Sequence, residues 1–170
     1  DTVCGTWADY DNDGFIDGFV SGLGGGSGAL YRGTGGGAFA PAAGSGVGGA
    51  GLTGTGCAWG DYDNDGFVDL VVAVLDGVLG MSGGNRLFHN QGDGTFAEVT
   101  TDPVTLNPDT HHHPTWADFD GDGDLDLFFA TGSVGSPAQD RMYRNLLRET
   151  GHATFEPIVS GPLATDLRDS

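Results

Sequence analysis

The sequence predicts an all-β protein built from three copies of a four-stranded antiparallel unit. Three observations carry this reading. A nonapeptide of the form D-x-D-x-D-G-x-x-D occurs at residues 9–17, 61–69 and 118–126. A tryptophan (Trp7, Trp59, Trp116) stands two residues before each copy, and a short apolar run follows each one. Glycine supplies 33 of the 170 residues and aromatics 10%, which suits strands joined by many turns.

The elements recur in a fixed order. The tryptophan lies on a first strand, and the acidic nonapeptide is the turn after it. The second strand is Phe19-Val20 in the first repeat, Leu70 to Val74 in the second and Leu127 to Ala130 in the third. A Gly/Ser-rich stretch leads to a third strand at Leu30-Tyr31-Arg32, Leu87-Phe88-His89 and Met142-Tyr143-Arg144. A turn then leads to a fourth strand opening at Phe39, Phe96 or Phe155. In the middle repeat that turn is Asn90-Gln91-Gly92-Asp93-Gly94-Thr95, a strong hairpin signal. The third repeat carries a longer turn, through Leu146 to Ala153. The first has Gly18 where the others have Leu70 and Leu127, which predicts a weak second strand.

Four antiparallel strands per repeat of roughly 40–50 residues is the pattern of a β-propeller blade, with the tryptophan strand innermost. The predicted blades are 1–45, 46–102 and 103–160, and residues 161–170 form a connector toward a next blade or a neighbouring copy. Phe39 to Trp59 and Phe96 to Trp116 are both separations of 20 residues. Joining the last residues to the first would make a similar connection. Propellers close with about four to eight blades, so three imply more. Two chains could close a six-bladed ring, or the end blades could extend a tandem array or filament; the last pair is the expectation here.

The acidic turns have the composition of a hard-cation site. Ca²⁺ takes six to eight oxygens at about 2.3–2.6 Å, and alternate side chains of a sharply turning loop can converge on one point. The glycine at position 6 (Gly14, Gly66, Gly123) permits the turn. Turn chemistry without a metal would explain one copy more readily than three.

These repeats resemble the FG-GAP/VCBS family, the calcium-loop β-propeller repeats also found in integrin α-subunits. The matching text is W-[AG]-D-[YF]-D-x-D-G-x-x-D, the apolar strand after it, and N-x-G-D-G-T-F. The resemblance spans essentially the whole chain. It implies three Ca²⁺ sites between the first and second strands of the blades. The implied side-chain ligands are Asp9, Asp11, Asp13 and Asp17; Asp61, Asp63, Asp65 and Asp69; and Asp118, Asp120, Asp122 and Asp126. The carbonyls of Phe15, Phe67 and Asp124 at position 7 would add to them, with the Asp124 carboxylate facing solvent.

The formal charge is −18, from 24 acidic and six basic residues, every one of the six an arginine. Three divalent cations would offset a third of it. Nucleic acid is excluded as a natural partner, because phosphate binding needs a basic face. No apolar run reaches the roughly 18 residues of a membrane span. Cys4 and Cys57 sit on equivalent strands of consecutive blades, offset by one in register. They are open to an inter-blade disulfide or to two small buried thiols. His111-His112-His113 cannot converge on one ion from an extended strand, and reads as a solvated connector. The tryptophans read as core packing rather than sugar-stacking platforms.

The function expected is a calcium-binding module of an extracellular or cell-surface structural or adhesion protein, with no catalytic constellation. Its partners would be other copies or further blades, with glycans or surface proteins as ligands. The alternative is a carbohydrate-binding (lectin) or polysaccharide-lyase propeller.

Overall fold

The computed structural model describes residues 2–22, 27–49, 52, 54–74, 84–107, 113–130 and 140–160. These form three antiparallel sheets, each a meander of four consecutive strands. Sheet 1 is β1 (Thr2–Ala8), β2 (Asp17–Gly22), β3 (Gly28–Gly33) and β4 (Phe39–Pro41), with a two-residue β5 (Gly48–Gly49) pairing with β3. That pairing carries the first sheet past residue 45. Sheet 2 is β6 (Gly54–Gly60), β7 (Asp69–Val74), β8 (Arg86–Asn90) and β9 (Phe96–Val99). Sheet 3 is β10 (His113–Ala117), β11 (Asp126–Ala130), β12 (Arg141–Asn145) and β13 (Phe155–Pro157).

Strand β7 explains why the sheets stack. Its residues Leu70 to Val74 are all buried, and successive side chains of a strand leave opposite faces. Leu70, Val72 and Val74 pack with Phe19 and Leu30 of sheet 1, while Val71 and Ala73 pack with Leu127 and Phe129 of sheet 3. A strand covered on both faces needs a continuous apolar run. Each such Val or Leu stabilises the fold by about 1.5–3 kcal/mol.

Aromatic side chains lock the two junctions. Tyr10 of the first acidic loop stacks on Trp59 at 6.4 Å and 10°, and Phe96 tilts against both. Tyr62 of the second loop stacks on Trp116 at 6.1 Å and 7°, with Phe155 in the equivalent place. Cys4 and Cys57 are joined in a disulfide between β1 and β6, their Cα atoms 6.1 Å apart.

Three features depart from the sequence expectation. Strand β2 runs for six residues, mostly buried, and is not weak. Gly18 is small because the Trp7 ring lies across it: a Cβ there would come within 2.6 Å of Trp7 Cζ3. Two short helices interrupt the β pattern. Helix α1 (Pro103–Leu106) has Asp102 as N-cap, accepting from the Val104 amide, and proline in its first turn. The Asp102-Pro103 pair is the local signal that announces it. Helix α2 (Leu147–Thr150) fills the longer turn of the third repeat and ends at Gly151 with φ 74°.

Candidate functional site

Each acidic nonapeptide connects the first two strands of its sheet, and the three share one backbone solution. Position 1 folds the loop over itself. The carboxylate of Asp9 accepts the amides of Asp13 and Gly14 at 3.0 and 2.8 Å. Asp61 does the same for Asp65 and Gly66, and Asp118 for Asp122 and Gly123. Position 5 caps the next bend, since Asp13, Asp65 and Asp122 accept the amides of Phe15, Phe67 and Asp124. Two residues of each loop adopt positive φ. Position 6 is glycine throughout, at 89°, 92° and 98°. Position 4 is Asn12 at 56°, Asn64 at 59° or Gly121 at 78°, the residue types that tolerate a left-handed backbone.

The consequence is convergence of positions 1, 3 and 5. Asp9, Asp11 and Asp13 offer ligand oxygens within 4.8 Å of one another, as do Asp61, Asp63 and Asp65, and Asp118, Asp120 and Asp122. Two oxygens in these triads, Asp11 Oδ1 and Asp122 Oδ2, are buried and accept no hydrogen bond. A buried anionic oxygen without a donor is costly, and a cation would satisfy it. The donor set, hard oxygens with no sulfur, fits Ca²⁺.

Position 9 is placed differently. Asp17, Asp69 and Asp126 are all buried and tie the loop to the end of the third strand. Asp17 accepts the amides of Tyr10 and Gly33, at 2.9 and 2.7 Å. Asp69 accepts those of Tyr62 and Asn90, and Asp126 those of Phe119 and Asn145. A carboxylate oxygen has two lone pairs, so each retains capacity for a further contact. Burial pushes these three carboxyls above the ordinary range, Asp69 from 3.8 up to about 8, against the lowering effect of the backbone donors.

Position 7 separates the loops. The Phe15 ring lies near Gly35 and the Phe67 ring near Gly92. Asp124 does not face solvent, contrary to expectation: it is 5% exposed. Its Oδ1 accepts from Asn64 Nδ2 at 2.9 Å, and its Oδ2 accepts from the Arg148 amide at 2.7 Å. The neighbouring loop and helix α2 enclose it, and neither is adjacent in sequence.

Several contributors escaped the sequence reading. Asn12 Nδ2 donates to the Gly66 carbonyl of the next loop at 3.0 Å, as Asn64 does toward loop 3. Asn90 Nδ2 donates to the Tyr10 carbonyl at 2.8 Å, and Asn145 Nδ2 to that of Tyr62 at 2.7 Å. The acidic loops are thus linked into a row. The only available signal was the recurrence of asparagine at position 4 of two loops and at the end of two third strands. His89 Nδ1 lies 3.2 Å from Asp63 and 3.3 Å from Asp69, forming a further acidic–imidazole cluster. Of the histidine run, only His113 falls within the described residues, at the exposed start of β10; His111 and His112 lie outside them.

With this architecture established, the sequence comparisons agree with it. The FG-GAP-like repeat model matches residues 9–72, from the first acidic loop into β7, and residues 74–129, from the end of β7 into β11. The chain belongs to the FG-GAP-like repeat family. Among curated proteins, none matches the chain in sequence.

Proposed function

We propose that the chain is a calcium-stabilised, propeller-type repeat module of an extracellular or cell-surface protein, serving structure, adhesion or assembly. The observation that carries this reading is the threefold recurrence of a preorganised acidic triad at one row of loops. Positions 1, 3 and 5 would hold the ion, with the position 7 carbonyl and the spare lone pairs of position 9 as further oxygens. The ion would supply positive charge where three carboxylates otherwise repel. Extracellular modules bind Ca²⁺ with Kd on the order of 10⁻⁴–10⁻³ M, which suits a compartment rich in calcium and permissive of the Cys4–Cys57 disulfide. We infer a structural role rather than catalysis, because positions 1, 5 and 9 of each loop accept the backbone amides that shape it and tie it to its sheet.

The outward faces support assembly with further repeats, either of a longer chain or of other copies. Trp59 and Trp116 are covered by the aromatic residue of the preceding loop, whereas Trp7 is 59% exposed beside Phe39 at 46%. At the opposite face Phe119, the counterpart of Tyr10 and Tyr62, is 40% exposed. An exposed aromatic patch of this kind marks an interaction surface.

Thermal melting with Ca²⁺ and with EGTA tests the calcium reading. At a free ion concentration of a hundred times Kd, each site adds about 2.7 kcal/mol, so the midpoint should fall clearly on chelation. An unchanged midpoint would refute it.

A further inference from the structure

The acidic triad of loop 1 is met by a cation from within the chain. Arg32, on β3, places Nε 2.6 Å from Asp11 Oδ2 and Nη2 2.7 Å from Asp13 Oδ2. Strand register explains why it reaches them. Tyr31 lies opposite Gly18, Phe88 opposite Leu70 and Tyr143 opposite Leu127, so Arg32, His89 and Arg144 occupy one equivalent position beside their loops.

The three occupants act differently. Arg32 spans positions 3 and 5 with a permanently charged fork suited to two carboxylates. His89 approaches Asp63 through a single nitrogen. Arg144 has the same chemistry as Arg32 but is drawn off its loop, with Nη2 3.3 Å from Glu149 and 3.9 Å from Glu156. The arginine that does reach loop 3, Arg148, donates through Nη1 to the Asp122 backbone carbonyl and leaves the carboxylates of the triad unpaired with it. Glu149 belongs to α2, the insertion that the third repeat alone carries.

We propose that Arg32 is the resident counter-cation of loop 1, and that it grades the three loops: loop 3 takes a divalent cation first and loop 1 last. This rests on the calcium reading above. A divalent ion entering loop 1 must displace the guanidinium from two of the oxygens it needs. The Arg32 side chain is 51% exposed, so it can swing into water, and the competition is a shift in affinity rather than a block. An ion pair of this exposure corresponds to roughly a fivefold change in binding. The same contact leaves loop 1 the least repulsive of the three when calcium is withdrawn.

The test is a Ca²⁺ titration of the calcium-free protein followed by NMR at the amides of Gly14, Gly66 and Gly123. Each donates to the position 1 carboxylate of its own loop, giving one reporter per site. The expected order is Gly123 first and Gly14 last, with midpoints roughly fivefold apart. Arg32→Gln should bring the Gly14 midpoint to that of Gly123, while Gly66 and Gly123 hold theirs and so report an intact fold. Arg144→Gln should leave the Gly123 midpoint in place. An unmoved Gly14 midpoint in Arg32→Gln overturns the proposal. So does an Arg144→Gln shift at Gly123 as large as the Arg32→Gln shift at Gly14, since net charge would then account for both. If all three glycines respond at one midpoint in the wild type, the grading fails and calcium binding stands. If none responds, calcium binding itself fails.

Discussion

The junction between sheets 1 and 2 and the junction between sheets 2 and 3 use the same parts and are completed differently. In both, an aromatic of one loop stacks on the tryptophan of the next sheet, and a third-strand asparagine donates to the carbonyl of that aromatic. The first junction adds the Cys4–Cys57 crosslink and leaves Trp59 Nε1 buried without an acceptor. The second has no cysteine. It adds helix α1, whose Val104 is fully buried in the apolar cluster there, and Trp116 Nε1 donates to the Ala58 carbonyl at 3.4 Å. An orphaned N–H costs about 1–3 kcal/mol, and a disulfide closing a loop of this length contributes about 4 kcal/mol. The repeated residues decide which faces meet. The unrepeated ones decide how firmly.

The largest effect should come from removing the crosslink. The Cys4→Ser, Cys57→Ser double variant should lose about 4 kcal/mol, equivalent to a drop of about 10 °C in Tm for a chain of this size. Calorimetry in calcium buffer measures it, and a change under 2 °C would show that the first junction does not depend on its staple.

Next in size are the asparagines. Asn145→Ala strips a donor from the Tyr62 and Leu125 carbonyls, and Asn90→Ala from those of Tyr10 and Val68. Each should cost about 1–3 kcal/mol. Equal losses in urea denaturation would confirm a shared rung; a loss in only one variant would break the equivalence of the junctions.

Asp124→Ala should cost about 1–2 kcal/mol even without calcium, because it leaves the Arg148 amide without its acceptor and Asn64 Nδ2 with only the longer contact to the Gly123 carbonyl. Denaturation in calcium-free buffer separates this from metal affinity. A silent substitution would return the carboxylate to solvent.

The last effect is read by its sign. The folded pKa of Asp69 is raised from 3.8 to about 8, so between those values the native state keeps a proton that the unfolded chain has released. Stability without calcium should therefore fall as pH rises through that window. The buried carboxyls Asp17 and Asp126 shift in the same direction by the same cause. Saturating calcium, which favours the charged form, should remove the slope. Chemical denaturation from pH 5 to 8 measures both conditions, and a calcium-free stability that rises with pH would contradict the assignment.

The repeat order, the strand positions and the convergence of Asp9, Asp11 and Asp13 and their counterparts were legible in the sequence by itself. Those features depend on near neighbours: a glycine at position 6, alternating carboxylates, and apolar runs of strand length. What tertiary structure alone decided is the partner of each side chain. Asp124 is buried because Asn64, 60 residues away, and the Arg148 amide close over it. Trp7 lies across Gly18, whereas Trp59 and Trp116 stack on the preceding loop's aromatic. Arg32 and Arg144 share one residue type and one register position, yet only Arg32 reaches its loop, because α2 supplies Glu149 to Arg144. A turn is encoded by the few residues that form it. The fate of a long charged side chain is set by whichever opposite charge the packed chain brings within reach.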